Sequence, residues 1–268
     1  MNAYAPIRKV PLDYEGVLSS AFSVQIERER KNKETEMISN EWKEVGVVGN
    51  KYLLIPNNEV KELADDIADQ SNLSWEPLRT FFDGRRYFYG MQCKTQTSEV
   101  REGDDVGMGI GFWNSYDGST ALSFRLFLVR LVCTNGMISK DTFQSFRFKH
   151  DSTSEGYEDE IMKAVQTINN CTDDVDKAVK GFRKMINTPF DIDEMQKVRS
   201  LIPTLPVTTW GKITDNYLHK YHNSDENDCS LWEFYNACTD ILWHDNKPTV
   251  ASFQHNAYIT DALLGAIA

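Results

Sequence analysis

Residues 112–137 read FWNSYDGSTALSFRLFLVRLVCTNGM, and this stretch decides the fold. Asp117-Gly118 is a strong hairpin dipeptide, because glycine takes positive φ at no steric cost and aspartate tolerates it. From Ser119 to Cys133 the chain has almost no helix breaker and many aromatic and branched residues, as a strand does. Strand side chains alternate, so Leu122, Phe124, Leu126 and Leu128 share one face. Ser123, Arg125, Phe127, Val129, Leu131 and Cys133 share the other. Both sets are mostly apolar, which predicts a central strand covered on both sides. Asn135-Gly136 is expected to end it with a second turn.

Working outward, Asp83-Gly84 predicts a hairpin over 78–97, with RRYFYGMQCKT as its aromatic-rich return strand. Residues 99–105 read as an acidic loop. Gly107-Met108-Gly109-Ile110-Gly111 leads into a strand and lacks the helix N-terminus of a phosphate cradle, so it reads as a flexible or bulged start to that strand. Val45, Val47 and Val48 before Gly49-Asn50, with Tyr52 to Ile55 after it, predict another hairpin. A helix then carries Val60, Leu63, Ala64, Ile67 and Ala68 on one stripe, with Asn57 or Asn58 as its cap. Residues 1–22, interrupted by Pro6 and Pro11, predict an extended arm. The charged run within 25–44 predicts a solvated helix face or a mobile segment.

Downstream, FQSFRFKH (143–150) alternates apolar with polar or basic residues, as a half-exposed strand does. The period then becomes helical. Stripes start at Ile161, at Val175 behind Thr172, at Met195 behind an Asp191/Glu194 capping box, at Trp210, and at Leu231 behind a Ser230/Glu233 box. The chain ends in a short apolar helix. The expected fold is α+β, with an antiparallel hairpin-rich mixed sheet in the N-terminal half and a helical C-terminal half. The expected organisation is an arm (1–41), a strand-rich core (42–150) and a helical region packed on it (151–268).

The net charge of −11 repels nucleic acid on average, so any such contact needs a local basic patch. No signal peptide is visible and no run approaches the ~20 apolar residues of a membrane span, so the expectation is a cytoplasmic protein with no membrane partner. The five cysteines form no C-x-x-C pair, which leaves free, buried thiols as the reading. His219 with His222, and Asp240 with His244, have helix-face spacing, but no H-E-x-x-H, G-x-S-x-G or P-loop pattern occurs. No metal and no cofactor is implied.

Arg125 and Arg130 fall on opposite faces of the central strand. A guanidinium in apolar surroundings needs a carboxylate, such as Asp117 or a helix Asp, or an anionic ligand. Arg79, Arg85, Arg86, Lys94, Arg147 and Lys149 interleave with Phe81, Phe82, Tyr87, Phe88, Tyr89, Phe146 and Phe148. Guanidiniums bind phosphates and aromatic faces stack on unpaired bases, so this mixture suits a single-strand-binding sheet.

Several segments also carry a family likeness: VGNKYLLIPNNEV from Val48, NSYDGS from Asn114, VRLVCTNGM from Val129, FRFKH ending at His150, and YNACTDILWH from Tyr235. The chain resembles a phage- and plasmid-borne family, domain of unknown function 932. The likeness runs from about Trp42 to His244 and rests on Asn114, Asp117, Gly118, Arg130, Cys133, Asn135, His150, Asn236, Thr239 and His244. Tyr116 stands where the family often has His, and Gly136-Met137 replace Thr-Leu. The resemblance implies a mobile-element setting and brings no settled mechanism. The hairpin-then-helix order of 42–70 is similar to the core of single-strand-annealing proteins.

Three functions follow as expectations. In the first, a DNA-metabolism protein holds single-stranded DNA, with Arg85, Arg86, Arg125, Arg130, Arg147 and Lys149 on phosphate and Tyr87 and Tyr89 stacking on bases. In the second, an enzyme lines a pocket with Arg130, Cys133, Asn135 and either His150 or His244. In the third, an acidic surface engages a host protein. Homo-oligomerisation is compatible with each.

Overall fold

The computed structural model describes residues 2–14, 17–31, 36–137, 145–148, 150, 158–170, 172–222, 230–245 and 247–267. Among these, a three-stranded antiparallel sheet runs β1 (Ile7–Tyr14), β2 (Val17–Lys31), β3 (Ile38–Gly49). A second antiparallel sheet has the order β4 (Trp75–Phe82), β5 (Arg86–Arg101), β6 (Asp104–Ser115), β7 (Leu122–Arg130), β8 (Asn135–Met137), and β9 (Ser145–Phe148) also pairs with β7. The helices are α1 (Asn57–Gln70), α2 (Glu158–Asn170), α3 (Thr172–Ile186), α4 (Ile192–Leu201), α5 (Val207–Tyr217), α6 (Leu231–Asp240) and α7 (Val250–Ala266). π-helical turns, Leu218–His222 and Ile241–Asp245, extend α5 and α6. The fold is α+β, with the strands preceding most of the helices.

β7 is the central strand that its two apolar faces predict. It pairs with β6 on one side and with β8 and β9 on the other. Leu122, Phe124, Leu126 and Leu128 enter the main core, together with Val60, Leu63 and Ile67 of α1 and Phe234 of α6. Phe127 and Val129 enter a second cluster with Trp243 and Phe253. Phe124 stacks on Phe146 of β9 at 4.6 Å. Burying one such ring stabilises by roughly 1.5–3 kcal/mol, so these rings fix the register of a strand only four residues long. The turns at Asp83-Gly84 and Asp117-Gly118 form as expected, with φ of 96° and 72° at the two glycines.

Several expectations are corrected. The turn after β7 comes earlier: Thr134 takes φ 54°, and Asn135-Gly136 begin β8. The glycine run lies within β6: it pairs with β7 in unbroken register, while the β5–β6 register shifts opposite Gly107–Gly109, as the bulged reading expects. A Cβ at Gly109 would lie 2.7 Å from Phe127, so the missing side chain makes room for that ring. Residues 99–105 are mostly strand around a tight turn, with Gly103 at φ 73° and Asp104 buried. Asn57 is the first residue of α1 behind Pro56 and does not cap it. Ser230 bonds the Glu233 side chain instead of capping α6, whereas Asp191 caps α4 as predicted, through the Glu194 amide at 2.9 Å. The terminal helix is 17 residues long and opens on a Thr249/Ser252 capping box.

The N-terminal residues differ most. Neither a helix face nor a hairpin at Gly49-Asn50 forms, because β3 pairs back onto β2. The alternating charges are cross-strand pairs on a ribbon, as in Arg28–Glu41 at 2.7 Å. Its inner residues, Val24, Ile26, Val45 and Val48, pack with Tyr116. Pro11, which has no N–H to donate, lies on the edge strand β1 beside a register shift. Lys149, Cys171 and Cys229 lie outside the described residues.

Candidate anion-binding groove

Strand alternation sets where the basic residues go. Arg79 lies opposite Gly90, Phe88 opposite Trp113, Trp113 opposite Ser123, and Ser123 opposite Arg147. Arg79, Arg86, Arg125 and Arg147 therefore share one face of the second sheet, the face covered in part by Trp243 and Phe253. The opposite face packs against α1, whose Glu59, Glu62, Asp65, Asp66 and Asp69 belong to that side. Sheet geometry thus separates cations from part of the acidic surplus.

The same alternation removes Tyr87 and Tyr89 from the arginine face. They are 1% and 3% exposed in the main core. The Tyr87 hydroxyl lies 3.0 Å from that of Tyr4, and burial pushes its pKa up. Rings this deep are not available to stack on a base, so the expectation for this pair is corrected.

The four arginines on the shared face differ in how they are satisfied. Arg79 Nη1 donates to the Trp243 carbonyl. Arg86 Nε donates to Ser119 Oγ at 3.3 Å. Burial pushes the Asp117 carboxyl up, but hydrogen bonds from Ser119 and the nearby Arg86 outweigh this and leave it lowered. Arg125 and Arg147 are different. They sit on neighbouring strands, Arg125 beside Ser145 and Arg147 beside Ser123, and neither has a carboxylate partner among the described residues. Burial, and then repulsion from Arg147, makes the charged form of Arg125 less favourable. Arg125 is half-buried and Arg147 exposed.

These two line a cavity of about 220 Å³ together with Ser119, Thr120, Ser123 and Ser145. No acidic residue lines it among those described. A second cavity, about 180 Å³, shares Ser119, Thr120 and Val250 with the first and continues past Phe81, Arg86 and Trp113. Guanidiniums with hydroxyl donors around them are the chemistry of phosphate recognition. A larger cavity of about 530 Å³ beside the first sheet is lined by Glu27, Arg28 and Glu29, but there Arg28 is already paired with Glu41. Sequence reasoning named the arginines and Phe81 but missed Ser119, Thr120, Ser123 and Ser145, small polar residues whose spacing carries no signature.

Arg130 belongs to a different structure. Asp104 accepts from its Nε at 2.6 Å and its Nη2 at 2.7 Å, and Trp232 Nε1 donates to the same carboxylate at 3.0 Å. The partner is thus Asp104, not Asp117, and the guanidinium fork is closed to a phosphate. Arg101 bridges Asp104 to Glu233, at 3.4 and 2.8 Å. Arg130 Nη1 also reaches Cys133 Sγ at 3.5 Å. Nearby, His244 Nε2 lies 2.8 Å from Asn135 Oδ1, and Asn135 Nδ2 donates to Thr239 Oγ1 at 3.5 Å. Asn236 bonds within α6, to the Trp232 carbonyl at 2.8 Å. Arg130, Cys133, Asn135, Thr239 and His244 therefore meet where the β7–β8 turn docks on α6 and its π-helical extension.

His150 is elsewhere. It stacks on Tyr52 at 4.7 Å, and its Nδ1 lies 2.9 Å from the Leu53 carbonyl. Tyr52 in turn donates to the Ser115 carbonyl at 2.6 Å. Asn114 donates to the Ile55 carbonyl at 2.9 Å. A Cβ on Gly46 would lie 2.6 Å from the Asp117 Cα, so glycine there permits the two sheets to approach at the Asp117-Gly118 turn. The quoted segments thus build two joints of the fold. Asp240 and His244 share a helix face, with His244 Nε2 4.0 Å from Asp240 Oδ1, while the side chain of His222 lies outside the described residues. Among the described residues, no three His, Cys, Asp or Glu side chains gather to hold a metal. No helix of the described residues is long and apolar enough to cross a membrane. Arg85 is exposed, with its backbone engaged by Asp83 and Tyr116.

A family model described as Domain of unknown function (DUF932) matches residues 44–264. No curated protein and no solved structure matches the chain.

Proposed function

The chain belongs to the DUF932 family, and for this member we propose binding of single-stranded nucleic acid through the arginine-bearing face of the second sheet. The observation that carries this reading is the Arg125–Arg147 pair. Two neighbouring guanidiniums, one of them half-buried, stand in a cavity with no acid among its described lining. Like charges so placed are unfavourable by themselves, and an anionic ligand relieves them. Arg86 extends the positive surface along the groove, and Phe81 supplies an aromatic face in place of Tyr87 and Tyr89. The overall charge of −11 is compatible with this reading, because screening over about 8–10 Å lets a local patch act apart from distant acids. The phage and plasmid resemblance supplies the setting, DNA metabolism inside a host cell.

The test is fluorescence anisotropy with a single-stranded DNA oligonucleotide across a salt series. Binding at low salt that weakens as salt rises, and that the R125A/R147A double variant loses, is the expected result. Absence of binding at low salt, or a double variant that binds as well as wild type, ends the proposal.

A further inference from the structure

The two cavities have unlike linings and share a wall. The first offers Arg125, Arg147 and serine hydroxyls. The second offers Phe81, Arg86 and Trp113. Ser119, Thr120 and Val250 belong to both. Phe81 is half-buried, and the Lys247 ammonium lies 6.0 Å from its ring.

We infer that the paired cavities form a subsite for one phosphorylated nucleotide unit, its phosphate between Arg125 and Arg147 and its base against Phe81. This rests on the nucleic-acid reading above and narrows it to one unit. Volumes of about 220 and 180 Å³ hold a single nucleotide. A strand lying along an extended groove typically occupies at least about four nucleotides. The same chemistry is presented by a free nucleoside monophosphate and by the 5′-phosphorylated end of a strand.

The experiment titrates the full-length protein with AMP, ribose 5-phosphate and adenosine by calorimetry. It then competes AMP with oligothymidylates bearing a 5′-phosphate or a 5′-hydroxyl. AMP is expected to bind more tightly than ribose 5-phosphate or adenosine. R125A/R147A should weaken it about tenfold or more, and F81A about fivefold or more through lost stacking. Displacement by the 5′-phosphorylated strand alone assigns the subsite to strand ends. Displacement by neither strand assigns it to free nucleotides. Equal binding of AMP and ribose 5-phosphate, or an F81A variant with unchanged AMP affinity, overturns the inference. In that case salt-sensitive, arginine-dependent oligonucleotide binding would leave the broader reading standing, and its absence would remove both. Circular dichroism of each variant separates lost binding from lost folding.

Discussion

Arg125 and Arg147 face the same side of adjacent antiparallel strands as diagonal neighbours, two residue pairs apart, with serines opposite each of them. Two cations in this relationship lower the stability of the sheet they sit in. The sequence therefore tolerates a local cost that a single carboxylate would remove. Replacing Arg147 by Glu should raise stability by about 0.2–1 kcal/mol, since an opposite-charge neighbour replaces a like-charge one. The same change should abolish oligonucleotide binding. Urea midpoints and anisotropy on R147E check both, and a variant that loses stability contradicts the unfavourable pair.

Asp104 and Arg130 illustrate the contrary arrangement. The Asp104 side chain is 4% exposed and that of Arg130 13%, and they are joined by two short hydrogen bonds. Removing one partner of a buried pair leaves an uncompensated charge, at about 3–5 kcal/mol. Asp104→Ala should show that loss by denaturant titration, with the Trp232 indole N–H orphaned as well. Arg130→Met with Asp104→Leu should recover much of it, because apolar residues of similar size often substitute for buried pairs without loss.

Gly136 packs under Trp243, where an added Cβ would lie 2.4 Å from the indole. Gly136→Ala should therefore destabilise by about 1–3 kcal/mol through overpacking. Trimming the partner with Trp243→Leu creates a cavity alone but should be partly compensated in the double variant. A coupling of about 0.5–3 kcal/mol between the two sites is expected from a double-mutant cycle. Strict additivity would place the indole elsewhere.

His150 adds a pH dependence. Burial lowers its pKa despite the Leu53 carbonyl, so the folded state resists protonation more than the unfolded chain does. As pH falls below the ordinary histidine value of about 6.5, the unfolded state takes up the proton first and stability declines, levelling once pH passes the folded value. Burial lowers His255 in the same direction. Urea midpoints at pH 7.5 and 5.5 should fall more for wild type than for His150→Gln. Equal falls would show that the imidazole does not carry the effect.

The sequence by itself determined β7, its two hydrophobic faces, the Asp-Gly turns, the amphipathic helices and the α+β class. These follow from local periodicity and from residues whose φ preferences act at short range. Beyond those hairpins it did not determine the partner of a strand. Residues 25–44 lack local apolar patterning, so their pairing into β2 and β3 was decided by tertiary contacts of Val24, Ile26, Val45 and Val48 with Tyr116. Nor did spacing reveal that Arg86 and Tyr87, adjacent in the chain, serve opposite sides of a sheet, one toward a groove and one in the core. Arg125 meets Arg147, and Asp104 meets Arg130, only once distant strands are hydrogen-bonded in register. Charge compensation is a property of three-dimensional neighbours, and that is why the sequence could name the arginines while only the folded sheet decided which of them remained open to a ligand.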